Sequence, residues 1–547
     1  MDKRLYINVI LPLKLGWEPF YALPQDVSVE VGDRVLAPFA GKPYLGVVSS
    51  VDSQPGPEIR QIKEIYGKQE HKDKISLNEI EFWRMLASYY MCSIGEVYKA
   101  AYPSVKDETV RPRKKDAVFL EPAERADDMP YQAKEICKQL IHSKKPILLS
   151  TPWDKSIMQN LCLQTVKDGG NVLWLVPEVK MTKALEEEMR KLAGSHLIVW
   201  GSNISPSRKR EAARTIRSGK PYVVLGTRSS IFLPFKDLKL VIVQEEHELS
   251  YKQSSPAPRY NGRDAAVMLA KVHGSDIILE SPDPSFESCF NALGGKYESH
   301  IKRLASDMEW EIVDIGAEIH KNGMVGDVPK RLLERIRRNK GAKIAIYKPF
   351  KAAFPKVDEL SSIFTKELGY CPFITEDLIA KPIPEGMELL AVFGSDAMLG
   401  KNGFRSDENL IHTVMAAVIQ AGPSLRSVFI PAKASEHPVF GALVSGNISP
   451  LLSERRQFGY PPFTRMVDIN AKDNFPDRAA RMTASLRSDI EALSLCQIIP
   501  NGPDSLRLFF SKDKTLTTRK EMLLSLVAEF EKYNKYTGHI FFDPDPL

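Results

Sequence analysis

The residues best suited to chemistry sit together at one point in this chain. Leu240-Val241-Ile242-Val243 is a short apolar run, and Gln244-Glu245-Glu246-His247 follows it at once. A buried strand of a parallel sheet that delivers acidic side chains at its carboxyl end can hold a magnesium ion and orient water against a nucleoside triphosphate. The first acidic position of such a site carries the metal, and here it is Gln244. An amide can hydrogen-bond a metal-bound water but does not offset the charge of Mg²⁺ as a carboxylate does. Glu245 keeps the place of the general base, with Glu246 beside it.

A triphosphate also needs a phosphate loop, with glycines that let backbone N–H groups wrap the phosphates, a Lys and a Ser or Thr. Lys155-Ser156 stands where such a loop ends, between the apolar Ile147-Leu148-Leu149 and a helical pattern. Both glycine positions are occupied by other residues, Leu149 and Asp154, with Pro152 and Trp153 between them. A carboxylate beside the phosphates repels them, and a side chain blocks close backbone approach.

The elements that must position these groups follow from the apolar pattern. Across 126–445, apolar runs at Ile147–Leu149, Val172–Val176, Tyr222–Leu225, Leu240–Val243, Ile277–Leu279, Ile344–Tyr347 and Leu389–Phe393 alternate with helical stretches. Thr182–Leu192 and Arg208–Arg217 are two of those helices. This alternation predicts parallel sheets covered on both faces, in two lobes with a seam near 300–345. Residues 1–105 show strand character at Val27–Val35 and Leu45–Val51, then a helix from Leu77 to Tyr90, and predict a small barrel closed by helices. The polar, basic stretch 106–125 reads as a linker. Residues 446–547 alternate strands (Met466–Ala471, Ser505–Phe510, 538–542) and helices (Arg478–Leu493, Thr518–Tyr533), predicting a small α+β unit.

Composition narrows the class. The 547 residues are 43% hydrophobic and 26% charged, as in a globular protein of several domains. A net charge of +6 permits nucleic-acid binding without demanding it. No run of about 18 apolar residues is present, so no membrane helix is expected. The six cysteines form no CxxC pair, so neither a zinc ribbon nor any other metal site is argued.

Longer blocks carry a resemblance. GTRSSIFLPF from Gly226, EEHELSYKQ from Glu245 and RYNGRD from Arg259 to Asp264 resemble the primosomal protein N′ (PriA) family of bacterial replication-restart helicases. GDRVLAPFAGKPYLGVV (Gly32–Val48) is similar to that family's DNA 3′-end-binding barrel, and Leu86–Ser104 to the helices that close it. LVPEVKMT (Leu175–Thr182), DIILESPDPSFES (Asp276–Ser288), Phe404-Arg405-Ser406, ERRQFGYPPFTRM (Glu454–Met466) and FFDPDPL (Phe541–Leu547) match further family blocks in order.

The resemblance implies an α/β fold with two RecA-like helicase lobes, an N-terminal β-barrel DNA-binding domain and a C-terminal α+β domain. The expected domains are 1–105, a linker at 106–125, lobes at 126–300 and 301–445, and 446–547. It also implies DNA contacts at Arg34, Lys42, Tyr44, Arg228, Tyr251, Lys252, Arg259 and Tyr260. Glu245 and Glu246 take the catalytic places, and Lys155 and Ser156 the nucleotide-binding ones.

The departures bear on the motor. Gln244 replaces the DEEH aspartate, and Glu280-Ser281-Pro282-Asp283 replaces the GSAT box. Val414–Ala421 replaces the arginine box, and Phe20 stands at the acidic place of the 3′-end pocket. The zinc-binding cysteines are missing, so zinc is not expected, and ATP with magnesium is expected to bind weakly if at all. The expected role is binding forked or single-stranded DNA and supporting primosome assembly in the bacterial cytoplasm, associated with the nucleoid, with replication proteins as partners. ATP-driven unwinding is expected to be weak or lost. Two alternatives stay open: an active ATP-dependent 3′-to-5′ helicase, and a protein-interaction scaffold without DNA affinity.

Overall fold

The structure is a computed structural model that describes residues 5–52, 61–103, 138, 145–150, 155–201, 204–301, 308–339, 341–351, 353–399, 403–533 and 539–547. The expected linker at 106–125 and the phosphate-loop turn at 151–154 lie outside the described residues.

Apolar runs without polar alternation form the strands, buried on both faces, at the centre of a seven-stranded sheet. Its order is Glu298–Ile301, Ile147–Ser150, Asp276–Glu280, Leu238–Val243, Asn171–Leu175, Val223–Gly226 and Leu197–Trp200. Leu238–Val243 is central. It pairs in parallel with Asp276–Glu280 (Val241 opposite Ile277) and with Asn171–Leu175 (Val241 opposite Leu173). The helices between strands carry ordinary stops and starts. Lys183–Ala193 begins at Thr182, whose hydroxyl accepts from the Leu185 N–H, and Gly262–His273 ends at the left-handed Gly274.

The chain divides into two compact units. The first contains residues 1–146, 156–279 and 464–547. At its start, an antiparallel sheet runs in the order Phe20–Ala22, Tyr6–Ile10, Lys42–Val51, Arg34–Phe39, Gly67–Lys68. Two helices follow, Leu77–Tyr89 and Ile94–Ala101, each opened by a capping box (Ser76 with Glu79, Ser93 with Glu96). At its end, a four-stranded antiparallel sheet in the order Gln497–Pro500, Ser505–Ser511, Thr464–Lys472, His539–Pro544 packs on helices Pro476–Leu493 and Leu516–Tyr533. The second unit contains 147–155 and 280–463, with a parallel five-stranded sheet. That sheet is ordered Glu309–Asp314, Ser427–Ala432, Leu389–Val392, Ile344–Tyr347, Phe373–Thr375.

Most expected elements appear within a residue or two of their sequence limits. Val27–Val35 does not form one strand; the strand begins at Arg34. The reason lies in Gly32 and Asp33. Gly32 is left-handed (φ +93°), and a Cβ there would lie 2.0 Å from the Ile75 carbonyl oxygen. The Asp33 carboxylate accepts from the Glu30 N–H at 2.8 Å, which closes a turn where a strand was expected. Ser427–Ala432, a fully buried strand, was not among the expected runs.

Candidate functional site

The strand Leu238–Val243 does deliver Gln244, Glu245 and Glu246, but each side chain is already engaged. Gln244 is buried, and its Oε1 accepts from Trp174 Nε1 at 3.1 Å. Its backbone is fixed on both sides, with N–H donating to Leu175 O (2.9 Å) and C=O accepting from the Tyr251 hydroxyl (2.7 Å). The amide therefore serves an indole, not a metal-bound water. Glu246 has a fully buried side chain, and Arg263 Nη1 meets its carboxylate at 3.1 Å. Arg263 Nε also meets Asp264 at 2.8 Å.

Glu245 is the more open acid, with a side chain 19% exposed and Lys180 Nζ at 3.3 Å. Its backbone is left-handed (φ 50°), a conformation that non-glycine residues seldom adopt. The ligand atoms of Glu245, His247 and Glu248 come within 4.8 Å of one another. Lys155 is exposed, and Ser156 opens the helix Ser156–Lys167. The donor set around Gln244 does not fit a magnesium ion: the position a carboxylate would fill is held by a neutral amide committed to Trp174.

The loop after Glu246 is built from residues expected to face DNA. Tyr251 and Tyr260 are each 1% exposed. The Tyr260 ring packs edge-on to Phe232, and its hydroxyl donates to Arg228 O at 3.3 Å. Arg228 Nη1 donates to Ser250 O (2.7 Å) and Lys252 O (3.1 Å), fixing the start of the loop. The Lys252 ammonium is buried among Arg259 O (2.8 Å), Asp543 Oδ1 (2.7 Å) and Pro544 O (2.6 Å). Burial lowers its pKa, and Asp543 works against that shift. The Arg259 guanidinium stacks on Phe541 at 3.9 Å. As folded, these side chains face protein. The phenol, ammonium and guanidinium groups each find internal partners, and both tyrosine rings lie in the core.

The N-terminal sheet differs. Arg34 is buried, donating to the Tyr98 hydroxyl at 2.6 Å and lying over the Tyr98 and Tyr102 rings. Lys42 is exposed beside a tight turn at Ala40 (φ 45°) and Gly41 (φ 79°), and Tyr44 is half-buried. Trp17 is 59% exposed, its ring 6.2 Å from Phe39. Sequence reasoning did not place Trp17 among the expected DNA contacts. A bulky aromatic beside Glu18-Pro19, next to the acidic-to-Phe20 change, was the available signal. Phe20 is half-buried on the strand Phe20–Ala22. Glu18 supplies a carboxylate nearby, bonded to Ser49 and to Arg84 at 3.1 Å.

In the second unit, Asp283 of the altered GSAT box meets His412 Nδ1 at 2.6 Å. Glu408, one turn before His412 on the helix Ser406–Ala421, joins Arg455 (3.0 Å), Arg405 (3.1 Å) and the Phe286 N–H (2.8 Å). Arg405 also meets Glu287 at 2.8 Å. Burial would raise the Glu408 carboxyl, but Arg455, His412 and Arg405 hold it well below the usual carboxylate range. Burial would lower His412, but Asp283 and Glu408 lift it to about 10. Sequence reasoning missed Glu408, His412 and Arg455. The i, i+4 spacing of Glu408 and His412 on a helix was the signal that could have found the first two. Val414, Ala417, Val418 and Ala421, at the arginine-box positions, are buried apolar residues of the same helix.

Residues 8–103 match the family model described as 3'DNA-binding domain (3'BD) of PriA. The chain is 31% identical over 343 residues to the "Replication restart protein PriA" of Rickettsia conorii, covering 61% of this chain and 51% of that protein. It is 29% identical over 289 residues to the Helicobacter pylori J99 protein of the same name, covering 52% and 44%. The chain thus spans about half the length of these curated relatives. A solved structure of RecG bound to a three-way DNA junction overlaps 69% of this chain and 51% of its own, at 12% identity and a TM-score of 0.37. Among the described residues, no helix is long and apolar enough to cross a membrane. Residues 8–103 thus match the 3'DNA-binding domain of PriA, and the chain is similar to PriA proteins over about half of their length.

Proposed function

We propose that the chain binds forked or single-stranded DNA and supports primosome assembly during replication restart, with ATP-driven unwinding weak or lost. The match of residues 8–103 to a 3'DNA-binding domain carries the DNA reading. Lys42, Tyr44 and the exposed Trp17 are the contacts we assign first, because a cation and an open aromatic face suit phosphate and base. Arg34, Arg228, Tyr251, Lys252, Arg259 and Tyr260 then act by holding the barrel and the loop in shape. The domain limits 1–105, 126–300, 301–445 and 446–547 belong to the same proposal, as do the cytoplasm and nucleoid as its location. The commitment of Gln244 to Trp174 supports the loss of the motor, since it leaves a metal without its carboxylate.

A fork-binding titration at several salt concentrations tests the reading. Phosphate contacts release counterions, so affinity should fall steeply with salt. Trp17→Ala should weaken binding by ~1–3 kcal/mol. Lys42→Ala should weaken it across sequences and reduce the salt slope by about one phosphate contact. Binding that is absent, or unchanged by salt, would favour a protein scaffold instead. The active helicase remains the second reading because Lys155 and the partly open Glu245 survive. A DNA-stimulated ATPase abolished by Lys155→Ala would establish it.

A further inference from the structure

We propose that Asp283, Glu287, Arg405, Glu408, His412 and Arg455 form a ligand-independent latch that holds the segment 281–293 on the helix Ser406–Ala421 and excludes polyphosphate. The ion pairs run as a chain from the segment to the helix and back. Asp283 meets His412 at 2.6 Å, and His412 Nε2 lies 3.7 Å from Glu408. Glu408 takes Arg455 and Arg405 at 3.0 and 3.1 Å, and Arg405 reaches back to Glu287 at 2.8 Å. The six side chains are only 4–20% exposed. Arg455 also lies 4.5 Å above the Phe286 ring.

Charge balance gives the latch its character. Three carboxylates face three cations, counting His412 as protonated. A site that recognises phosphate keeps cations or N–H groups uncompensated until the anion arrives. Here the guanidinium groups of Arg405 and Arg455 already share Glu408, and an incoming polyanion would meet Asp283, Glu287 and Glu408. The Phe286 N–H at the start of the helix Phe286–Leu293 is likewise taken, by Glu408 at 2.8 Å. The segment is therefore held without any bound group. This inference does not depend on DNA binding, and a chain that failed to bind a fork would leave it standing.

Amide hydrogen exchange on the full chain tests it, read at 281–293 and 406–421, in buffer and with magnesium pyrophosphate or MgATP. Wild-type exchange should be the same in all three conditions. Removing one partner strands a buried charge, so Asp283→Ala or His412→Ala should speed exchange in both segments on the order of 100-fold. Asp283→Asn, which keeps the shape and removes the charge, should speed it ~10-fold and covers the case in which the alanine variants do not fold. In 1 M NaCl the wild type should change little, since buried pairs are poorly screened. Slower wild-type exchange on adding pyrophosphate or MgATP would show that a ligand completes the closure and would overturn the proposal. Unchanged exchange in Asp283→Asn and His412→Ala would overturn it equally.

Discussion

Two regions of this molecule stand where the resemblance to the PriA family leads one to expect nucleotide motifs, and they are filled in opposite ways. After the strand Leu238–Val243, the first acid is replaced by an amide, and Gln244 settles into a neutral bond with Trp174. Around Asp283 a carboxylate appears where the family has a Thr, and it joins a web of ion pairs. One region loses a charge and the other gains one, yet in both the altered side chain, Gln244 or Asp283, is bonded to protein. A vacated ligand site exposes groups whose solvation was arranged for something else, and each must find a partner or be replaced. The neutral solution is cheap to perturb; the ionic one is not.

That contrast can be broken first at its strongest point. Glu408→Ala should destabilise the protein by about 3–5 kcal/mol, read as a shift in denaturant midpoint, because it takes from the buried Arg455 its carboxylate and from Arg405 and His412 one of two, leaving them Glu287 and Asp283. A shift below about 1 kcal/mol would mean that the web contributes little. Glu246→Ala should cost less, about 2–3 kcal/mol, because Arg263 keeps Asp264 as a partner.

Titration separates the regions next. The folded pKa of His412 lies above its ordinary 6.5, at about 10. Its contribution is therefore full below 6.5 and is lost as pH rises towards 10. The folded pKa of Glu408 is depressed, so its contribution is full above its ordinary 4.5 and is lost only as pH falls through the lower folded value. Wild-type stability should fall between pH 6.5 and 10 by roughly 1–3 kcal/mol, and His412→Gln should lack that slope. The smallest expected effect is Gln244→Leu, at about 1 kcal/mol, for one lost bond to Trp174. Gln244→Asp sharpens the point: it should cost stability without restoring ATPase activity. A gain in ATPase would show that one residue had silenced the site.

The strands that set the fold were legible because a fully buried parallel strand reads as an unbroken apolar run. Leu240–Val243 and Ile344–Tyr347 needed no context. The N-terminal Val27–Val35 misled because its β-branched residues alternate as in a strand while Gly32 forces a turn. The acids at 245 and 246 were legible by position, but their partners were not. Lys180 and Arg263 lie 65 and 17 residues away in sequence, and periodicity does not connect them. Tyr251 and Tyr260 show the same limit from the other side. An aromatic near cations suits a base or a core equally well, and only packing distinguishes them. Asp283 was visible as a departure, yet its meaning required His412, 129 residues on.

The pocket around Lys252 has a consequence for how the chain is made. Its ammonium is neutralised by Asp543, 291 residues later, and bonded by the carbonyl of Pro544. At about 5–20 residues per second, a ribosome needs roughly 15–60 s to deliver those partners. Until then the loop from 250 to 261 has a cation with no carboxylate to enter its core beside, so it stays hydrated and unfinished. The nascent chain can pair Leu238–Val243 with Asn171–Leu175 long before it can close that loop. The distant strand His539–Pro544 is thus the one that completes the segment beside Glu246.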